Sequence, residues 1–136
     1  MAFVLDNSVL CGWLLESQAT DYSAAIARRL ERERAVAPSL LRLELVNVLR
    51  TACKRQIMVA SQAQEMLAQL SLLPIDINAN PPDPALLLAL ALRHELSAYD
   101  AAYLELALRL QLPIATQDAT LAAAARIAGV GVAAWS

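Results

Sequence analysis

Short apolar runs alternate along the chain with longer stretches in which apolar residues recur every three or four positions. Short apolar runs are typical of buried strands, and the longer periodic stretches are typical of amphipathic helices. The pattern predicts strands at residues 2–5, 35–37, 74–77, 113–116 and 130–134. It predicts helices at residues 7–15, 21–34, 38–56, 61–73, 84–94, 98–110 and 119–127.

Local signals support several of these boundaries. Thr20 is a candidate N-cap, Pro38 suits the opening of a long helix, and Gly129 suits a left-handed helix end. The clearest break is the Asn-Pro-Pro segment at residues 80–82. The charged residues that end the helix at 21–34 are predicted to form mostly solvated surface: Arg28, Arg29, Glu31, Arg32, Glu33 and Arg34.

Strands that alternate with helices favour an α/β fold with a central, mainly parallel sheet and helices on both of its faces. No linker or repeat interrupts the chain, so one domain over residues 1–136 is predicted. In such sheets, sites form beyond the carboxyl ends of the strands. Asp6 and Asp118 each follow a predicted strand, so both are expected at the same edge of the sheet.

The composition limits the kinds of binding partner and metal site that the chain can have. The net charge of −2 gives no global basic field for nucleic acid, although ten of the eleven basic residues are arginine, which suits phosphate. His94 is the only histidine, and Cys11 and Cys53 are isolated, which excludes a zinc site built on His or Cys pairs and a disulfide framework. Asp6 interrupts the apolar start, and no run is long enough to span a bilayer, so a cytoplasmic protein is expected.

Four carboxylates stand in apolar surroundings, namely Asp6, Glu44, Asp100 and Asp118. A carboxylate beside a core is costly unless it is paired, hydrogen-bonded or bound to a cation. Asp6, Asp100 and Asp118 each have an alternative explanation at the start of a helix, where capping favours acids. Glu44 lies mid-helix, where capping cannot explain it, although an ordinary helix-surface position remains open.

Carboxylates that converge without matching bases would repel each other, and a divalent cation relieves that repulsion. Oxygen ligands without histidine or cysteine select Mg²⁺ or Mn²⁺. The four acids therefore indicate a metal-dependent enzyme that cleaves phosphodiester bonds. Arg55 shares the helix face of Glu44 and is a candidate contact for a substrate phosphate, with a solvated surface charge as the alternative.

Around these acids the chain resembles the VapC-type toxins of the PIN-domain family. The resemblance covers nearly the whole length and rests on FVLDNSV, PSLLRLELVNVL, LSAYDAAYLELAL and LPIATQDATLAAAA. It implies a PIN-like three-layer α/β/α fold and a Mg²⁺- or Mn²⁺-dependent endoribonuclease that hydrolyses RNA with a metal-activated water. Asp6, Glu44, Asp100 and Asp118 match the metal-binding acids. Three further positions match polar residues that support such a site: Ser8, Asn47 and Thr116.

The resemblance also implies partners: an RNA substrate, a VapB-type antitoxin and a second copy of the chain in a homodimer. Helices 38–56, 61–73 and 84–94 carry more apolar surface than expected for a domain of this size, which suits an antitoxin groove or a dimer interface, with core packing as the alternative. A metal-binding PIN domain that binds RNA or a partner with little turnover is the main competing function.

Other α/β proteins with acids at strand ends fit the residues less well. A phospho-acceptor receiver domain needs a lysine on a late strand, but the only lysine, Lys54, falls in a helix. A haloacid-dehalogenase-like phosphatase needs a second aspartate where this chain has Ser8. A dinucleotide-binding domain needs a GxGxxG segment, which the sequence lacks.

Overall fold

The computed structural model describes residues 2–136, and residue 1 lies outside the described range. Four strands form one sheet: β1 (Phe3–Leu5), β2 (Ala35–Pro38), β3 (Ile75–Asn78) and β4 (Ile114–Ala115). Seven α-helices are found within the described range: α1 (Asn7–Leu14), α2 (Asp21–Arg29), α3 (Leu40–Lys54), α4 (Ala60–Leu70), α5 (Pro84–His94), α6 (Ala98–Leu110) and α7 (Ala119–Ala128). A 3₁₀ turn at Glu16–Gln18 joins α1 to α2.

The sheet has the strand order β3-β2-β1-β4, and every pair of neighbouring strands is parallel. Successive side chains of a strand point to opposite faces of the sheet. Phe3, Val4 and Leu5 in β1 are all fully buried, which requires cover on both faces. The predicted three-layer α/β/α architecture is therefore confirmed.

Helix α6 is the main helix packed on the sheet, since it lies against β1, β2 and β4 and also contacts α5 and α7. Its interior face contributes Tyr103, Leu104 and Leu106 to the principal core, each of them at most 1% exposed. A second, smaller apolar cluster joins α3 to α4 through residues that include Leu45, Leu49 and Met58. These two apolar clusters therefore hold α3 and α6, which carry two of the four acids, in fixed positions.

Several predicted boundaries differ from the structure. Pro38, predicted to open the long helix, instead ends β2, and α3 begins at Leu40. Helix α4 ends at Leu70 rather than at residue 73.

Helix α2 ends at Arg29 rather than at residue 34, because the next backbone N–H groups bond three residues back, as Leu30 does to Ala27 at 3.2 Å. The predicted strand at 130–134 was wrong, because only Val132 forms an isolated bridge, to Ile114. The segment meets β4 at this one residue through two backbone bonds, since Ile114 N–H donates to Gly131 at 3.1 Å and Ala133 N–H donates to Ile114 at 2.8 Å. Beyond it, the carbonyl groups of Ala133 and Ala134 accept bonds from side chains.

The prediction that the end of α2 is mostly solvated was wrong for Arg29. This arginine is only 7% exposed, forms two bonds of 2.7 Å to the carboxylate of Glu33 and donates to the carbonyl of Ala134 at 2.9 Å. Its guanidinium carbon lies 4.8 Å from the centre of the Phe3 ring. Arg29 therefore ties the carboxyl-terminal segment and α2 to the first strand.

We expect Arg29→Ala to lower the free energy of unfolding by about 3 kcal/mol, because the change leaves a buried carboxylate without its main cation. Urea denaturation measures this loss. The matched control is Arg34→Ala, which removes an arginine from an ion pair with Asp76 whose side chains are 61% and 53% exposed. That control should cost far less, because an exposed ion pair contributes little to stability, and equal costs for the two variants would contradict the expectation.

Candidate active site

The carboxyl ends of β1 and β4 bring Asp6 and Asp118 to one edge of the sheet, as the strand pattern predicted. Asp6 follows β1, and its backbone N–H donates to the carbonyl of Ala115 in β4 at 3.0 Å. Thr116 and Asp118 follow directly after β4. The Thr116 hydroxyl donates to Asp6 Oδ2 across 2.7 Å, so residues 110 positions apart in sequence meet at this edge.

Two hydroxyl groups hold the Asp6 carboxylate, which is almost fully buried. The Ser8 and Thr116 hydroxyls each donate to Oδ2 at 2.7 Å. Ser8 Oγ accepts from the backbone N–H of Gln117 at 2.7 Å, and Thr116 Oγ1 accepts from that of Asp118 at 3.0 Å. Because an ionised carboxylate only accepts hydrogen bonds, each hydroxyl donates its proton to Asp6 while it accepts from a backbone N–H.

This network opposes the cost of burying Asp6. Burial raises the pKa of Asp6 above its ordinary value, and the hydrogen bonds from Thr116 and Ser8 oppose that rise. Asp6 occupies the N-cap position of α1 without a well-formed side-chain cap bond, although the backbone N–H groups of Asn7 and Ser8 also help to lower its pKa. Capping therefore accounts for part of the environment of this acid, and the two hydroxyl groups account for the rest.

Glu44 projects from the middle of α3 toward α6. Its Oε1 accepts a hydrogen bond of 2.6 Å from the hydroxyl of Tyr103, a residue that is fully buried. Burial raises the pKa of Glu44, the Tyr103 bond opposes this, and the charge of Asp6 adds to the rise. Glu44 is thus oriented by a core side chain and lies within electrostatic reach of the first acid.

Asp100 and Asp118 lie at the starts of α6 and α7. Asp118 caps α7 through a bond of 2.9 Å from the Thr120 N–H to its Oδ1. At the start of α6 the cap is Ser97, whose Oγ accepts from the Asp100 N–H at 3.1 Å. Burial, followed by the charges of Asp6, Asp118 and Glu44, raises the pKa of Asp100 to about 6. The four carboxylates therefore share one electrostatic environment.

The donor set suits a hard divalent cation, since it offers carboxylate and hydroxyl oxygens and no nitrogen or sulfur ligand. Among residues 2–136, however, no three His, Cys, Asp or Glu side chains are grouped closely enough to hold one ion jointly. Mg²⁺ keeps several waters and takes only one or two carboxylates directly, so it does not need such a group. The residues fit a cation held partly through water.

Of the three polar residues expected to support the acids, two contact an acid directly and one does not. Ser8 and Thr116 contact Asp6 directly, as described above. Asn47 is exposed one turn beyond Glu44 on α3, and its side chain forms no hydrogen bond within the described chain. Its expected role at the acids remains a prediction.

Sequence reasoning missed two residues that organise the site. Tyr103 reads as a core aromatic in the pattern, and only its spacing of three residues from Asp100 hinted at the same side of α6. Gln117 ties the β4–α7 loop to two other segments, since its Nε2 donates to the carbonyl of Ser8 at 2.9 Å and its Oε1 accepts from the Thr20 hydroxyl. No sequence signal marked Gln117, because its partners lie about a hundred residues away.

If Tyr103 orients Glu44, Tyr103→Phe should lower catalytic turnover of the enzyme proposed below about tenfold, because residues that orient a metal ligand contribute about that much or more. Steady-state kinetics measure the effect. A double-mutant cycle with Glu44→Gln supplies the control, since Tyr103→Phe should change nothing further once the glutamate charge is gone. Additive losses in the cycle would contradict this role for Tyr103.

Comparison with known proteins places the chain in a family. The PIN domain family model matches residues 3–127. The chain is 32% identical over 119 residues to the protein named Ribonuclease VapC12 of Mycobacterium tuberculosis, in both strain CDC 1551 / Oshkosh and strain ATCC 25618 / H37Rv, and the match covers 88% of each chain.

A solved structure has the same fold. The crystal structure of PAE2754 from Pyrobaculum aerophilum superposes with a TM-score of 0.68 at 24% identity, and the match covers 91% of this chain and 87% of that one. The family-model match spans nearly the whole described chain and is joined by a relative above 30% identity. The chain therefore belongs to the PIN domain family.

Proposed function

We propose that this protein is a VapC-type endoribonuclease that hydrolyses RNA phosphodiester bonds with the help of Mg²⁺ or Mn²⁺. The observation that carries the proposal is geometric: the Ser8 and Thr116 hydroxyls hold Asp6 at 2.7 Å, and the Tyr103 hydroxyl holds Glu44 at 2.6 Å. Burial, followed by the charges of Asp6, Asp118 and Glu44, raises the pKa of Asp100 to about 6, which agrees with this arrangement. The name of the Mycobacterium tuberculosis relative, Ribonuclease VapC12, supports the choice of RNA as substrate.

Each acid contributes to this proposed reaction from a different element. Asp6 presents a carboxylate whose Oδ2 is fixed by the Ser8 and Thr116 hydroxyls, which leaves Oδ1 unused by them. Glu44 has Oε1 fixed by Tyr103, which leaves Oε2 for a ligand. The fold thus aligns both carboxylates in advance, so little ordering is needed when a ligand binds.

Asp100 and Asp118 complete the proposed site from the starts of α6 and α7. Asp118 Oδ1 caps α7, and the Asp118 carboxylate lies in hydrogen-bonding reach of the carboxyl group of Asp100. A bound divalent cation would supply a Lewis acid that activates water and offsets the negative charge on the phosphate. The chain's own residues then hold that water, the phosphate and the cation in fixed positions.

The partners follow from the same proposal. The described residues contain no helix that is both long and apolar enough to cross a membrane. Leu86, Leu88 and Leu92 on α5 are 45%, 62% and 73% exposed, which suits an interface with a second copy of the chain. Between α3 and α4 lies an apolar groove of about 430 Å³ that suits an amphipathic segment of a VapB-type antitoxin. A cytoplasmic location goes with this pairing and with an RNA substrate.

The test is cleavage of total cellular RNA by the purified chain with Mg²⁺, with Mn²⁺ and with EDTA, followed by mapping of the new 5′ ends. We expect multiple turnovers with either cation and none with EDTA. If the chain binds RNA but makes less than one cut per protein molecule, the competing function is favoured, namely a PIN domain that binds RNA with little turnover. Full activity in EDTA would contradict the role given to the four acids.

A further inference from the structure

A groove of about 180 Å³ runs between α1 and α3, beside the acids. Its α3 wall carries polar side chains in phase with Glu44, since seven and eleven residues correspond to two and three turns of helix. Asn47, Thr51 and Arg55 therefore extend from Glu44 along one face, over a length of about 16 Å. The opposite wall includes Cys11 of α1, Leu15, which follows that helix, and the exposed Gln18.

The groove adjoins the acidic site. Cys11 lines it, and the thiol lies within electrostatic reach of Asp6 and Glu44. Gln18 provides a second connection, because its backbone carbonyl accepts a bond of 3.4 Å from Gln117, which neighbours Asp118. A chain molecule with one phosphate at the acids could therefore continue directly into the groove.

Charge favours an anionic occupant at the far end. Arg29, Arg34 and Arg109 are engaged in ion pairs. Arg55 is exposed, lies in the groove and makes no ion pair with any residue from 2 to 136. In a chain of net charge −2, such a local uncommitted cation is what can hold a phosphate.

The middle of the groove suits nucleosides. Asn47 and Thr51 offer hydrogen-bonding groups, and Leu15, Val48 and Ile57 offer apolar surface between the two charged ends. Single-stranded RNA is bound in this manner, with cationic side chains on the phosphates and apolar or polar groups on the bases. A groove of this small volume does not admit a double helix.

We propose that the groove between α1 and α3 binds the single-stranded RNA segment next to the cleaved bond, with Arg55 contacting a phosphate and Asn47 and Thr51 contacting a base or ribose. This inference rests on the proposed ribonuclease function and adds the path of the substrate. Arg55 also follows the carboxyl end of α3, where a cation stabilises the helix dipole, so the test must separate the two roles.

The test compares Arg55→Gln with Arg50→Gln, which removes the same charge from an exposed position of α3 that points away from the groove. Binding is measured by fluorescence anisotropy with a dye-labelled single-stranded RNA of mixed sequence, in an Asp6→Asn background that keeps the RNA intact. We expect Arg55→Gln to weaken binding about tenfold and to reduce the salt slope by about one, with Arg50→Gln unchanged. Arg55→Lys should restore most of the affinity.

The second measurement is the steady-state kinetics of RNA cleavage by variants that keep Asp6. Arg55→Gln should raise KM about tenfold with little change in kcat, and shortening the RNA on one side of the cut should abolish the difference from wild type. Equal RNA affinity for the Arg55→Gln and Arg50→Gln variants would overturn the inference, as would an Arg55→Gln variant that loses only thermal stability. RNA cleavage by the wild-type chain would still support the proposed ribonuclease function in either case. Cleavage absent from the wild-type chain would overturn the ribonuclease, and Arg55-dependent binding would still support the groove.

Discussion

Asp6→Asn is expected to lower RNA cleavage about a thousandfold, which corresponds to roughly 4 kcal/mol of transition-state stabilisation. The side chain keeps its shape, but the Ser8 and Thr116 hydroxyls, which donate to Oδ2, force the amide oxygen toward themselves. The amide NH₂ group then faces the position where an oxygen ligand is needed. Initial rates with saturating Mn²⁺ and circular dichroism of the variant measure the loss and confirm the fold.

The control for Asp6→Asn is Asp76→Asn, which removes one carboxylate charge from an exposed ion pair with Arg34 and should leave the cleavage rate unchanged. Asp6→Asn activity above a tenth of the wild-type rate would remove Asp6 from the catalytic set. A loss in both variants would point to net charge instead of to the site.

Asp100→Asn is expected to abolish most of the activity and, in the metal-free protein, to raise stability at pH 8 by on the order of 1 kcal/mol, since solvent screening at this half-buried carboxyl reduces the full effect of the pKa shift. Burial and the charges of Asp6, Asp118 and Glu44 raise the pKa of Asp100 to about 6 in the folded chain. A carboxyl group whose pKa is raised by folding stabilises the fold fully below the unfolded pKa, and this stabilisation is lost as pH rises through about 6. Asparagine carries no charge, so it avoids this loss.

Thermal melting in EDTA at pH 5 and at pH 8 measures the second effect. The melting temperature of Asp100→Asn should exceed that of wild type by on the order of 5 °C at pH 8, and the difference should shrink at pH 5. A saturating concentration of Mg²⁺ should stabilise wild type and reduce the gap, because binding to the folded state alone adds stability. A variant that melts below wild type at pH 8 would contradict the repulsion on which the site is built.

The gain of stability on losing an acid is characteristic of a functional site. Carboxylates whose charges raise one another's pKa oppose folding unless a ligand joins them, so a chain selected for stability alone would not place them there. Tyr103, Ser8 and Thr116 hold Glu44 and Asp6 in place despite this cost. In the proposed site, these hydrogen bonds would keep the two charges oriented for a cation and a phosphate.

Much of the fold follows from local pattern. Helices α5 and α6 have the predicted bounds, because their ends are set by neighbouring residues: Asp83 and Ser97 cap their starts, and Glu95 and Gln111 adopt the left-handed conformation at their ends. The shared edge for Asp6 and Asp118 follows from strand order alone.

What local pattern does not determine is which polar groups meet across the core. Arg29 belongs to a charged run in the sequence, yet it is buried because Phe3, Glu33 and Ala134 meet it there. Asn47 shares the predicted helix face of Glu44 but points into an open groove. These outcomes depend on tertiary contacts that periodicity does not record.

We propose that Asp6, Glu44, Asp100 and Asp118 form one site for a divalent cation. Glu44 tests this best, because it lies within α3, away from the helix termini where acids are favoured for other reasons. Calorimetric titration of Mn²⁺ into the RNA-free chain at pH 8, with Glu44→Gln beside wild type, measures the affinity. We expect saturable binding by wild type that weakens at least about tenfold in Glu44→Gln. Equal Mn²⁺ affinity in the two proteins, or no binding by wild type, would contradict the proposed site.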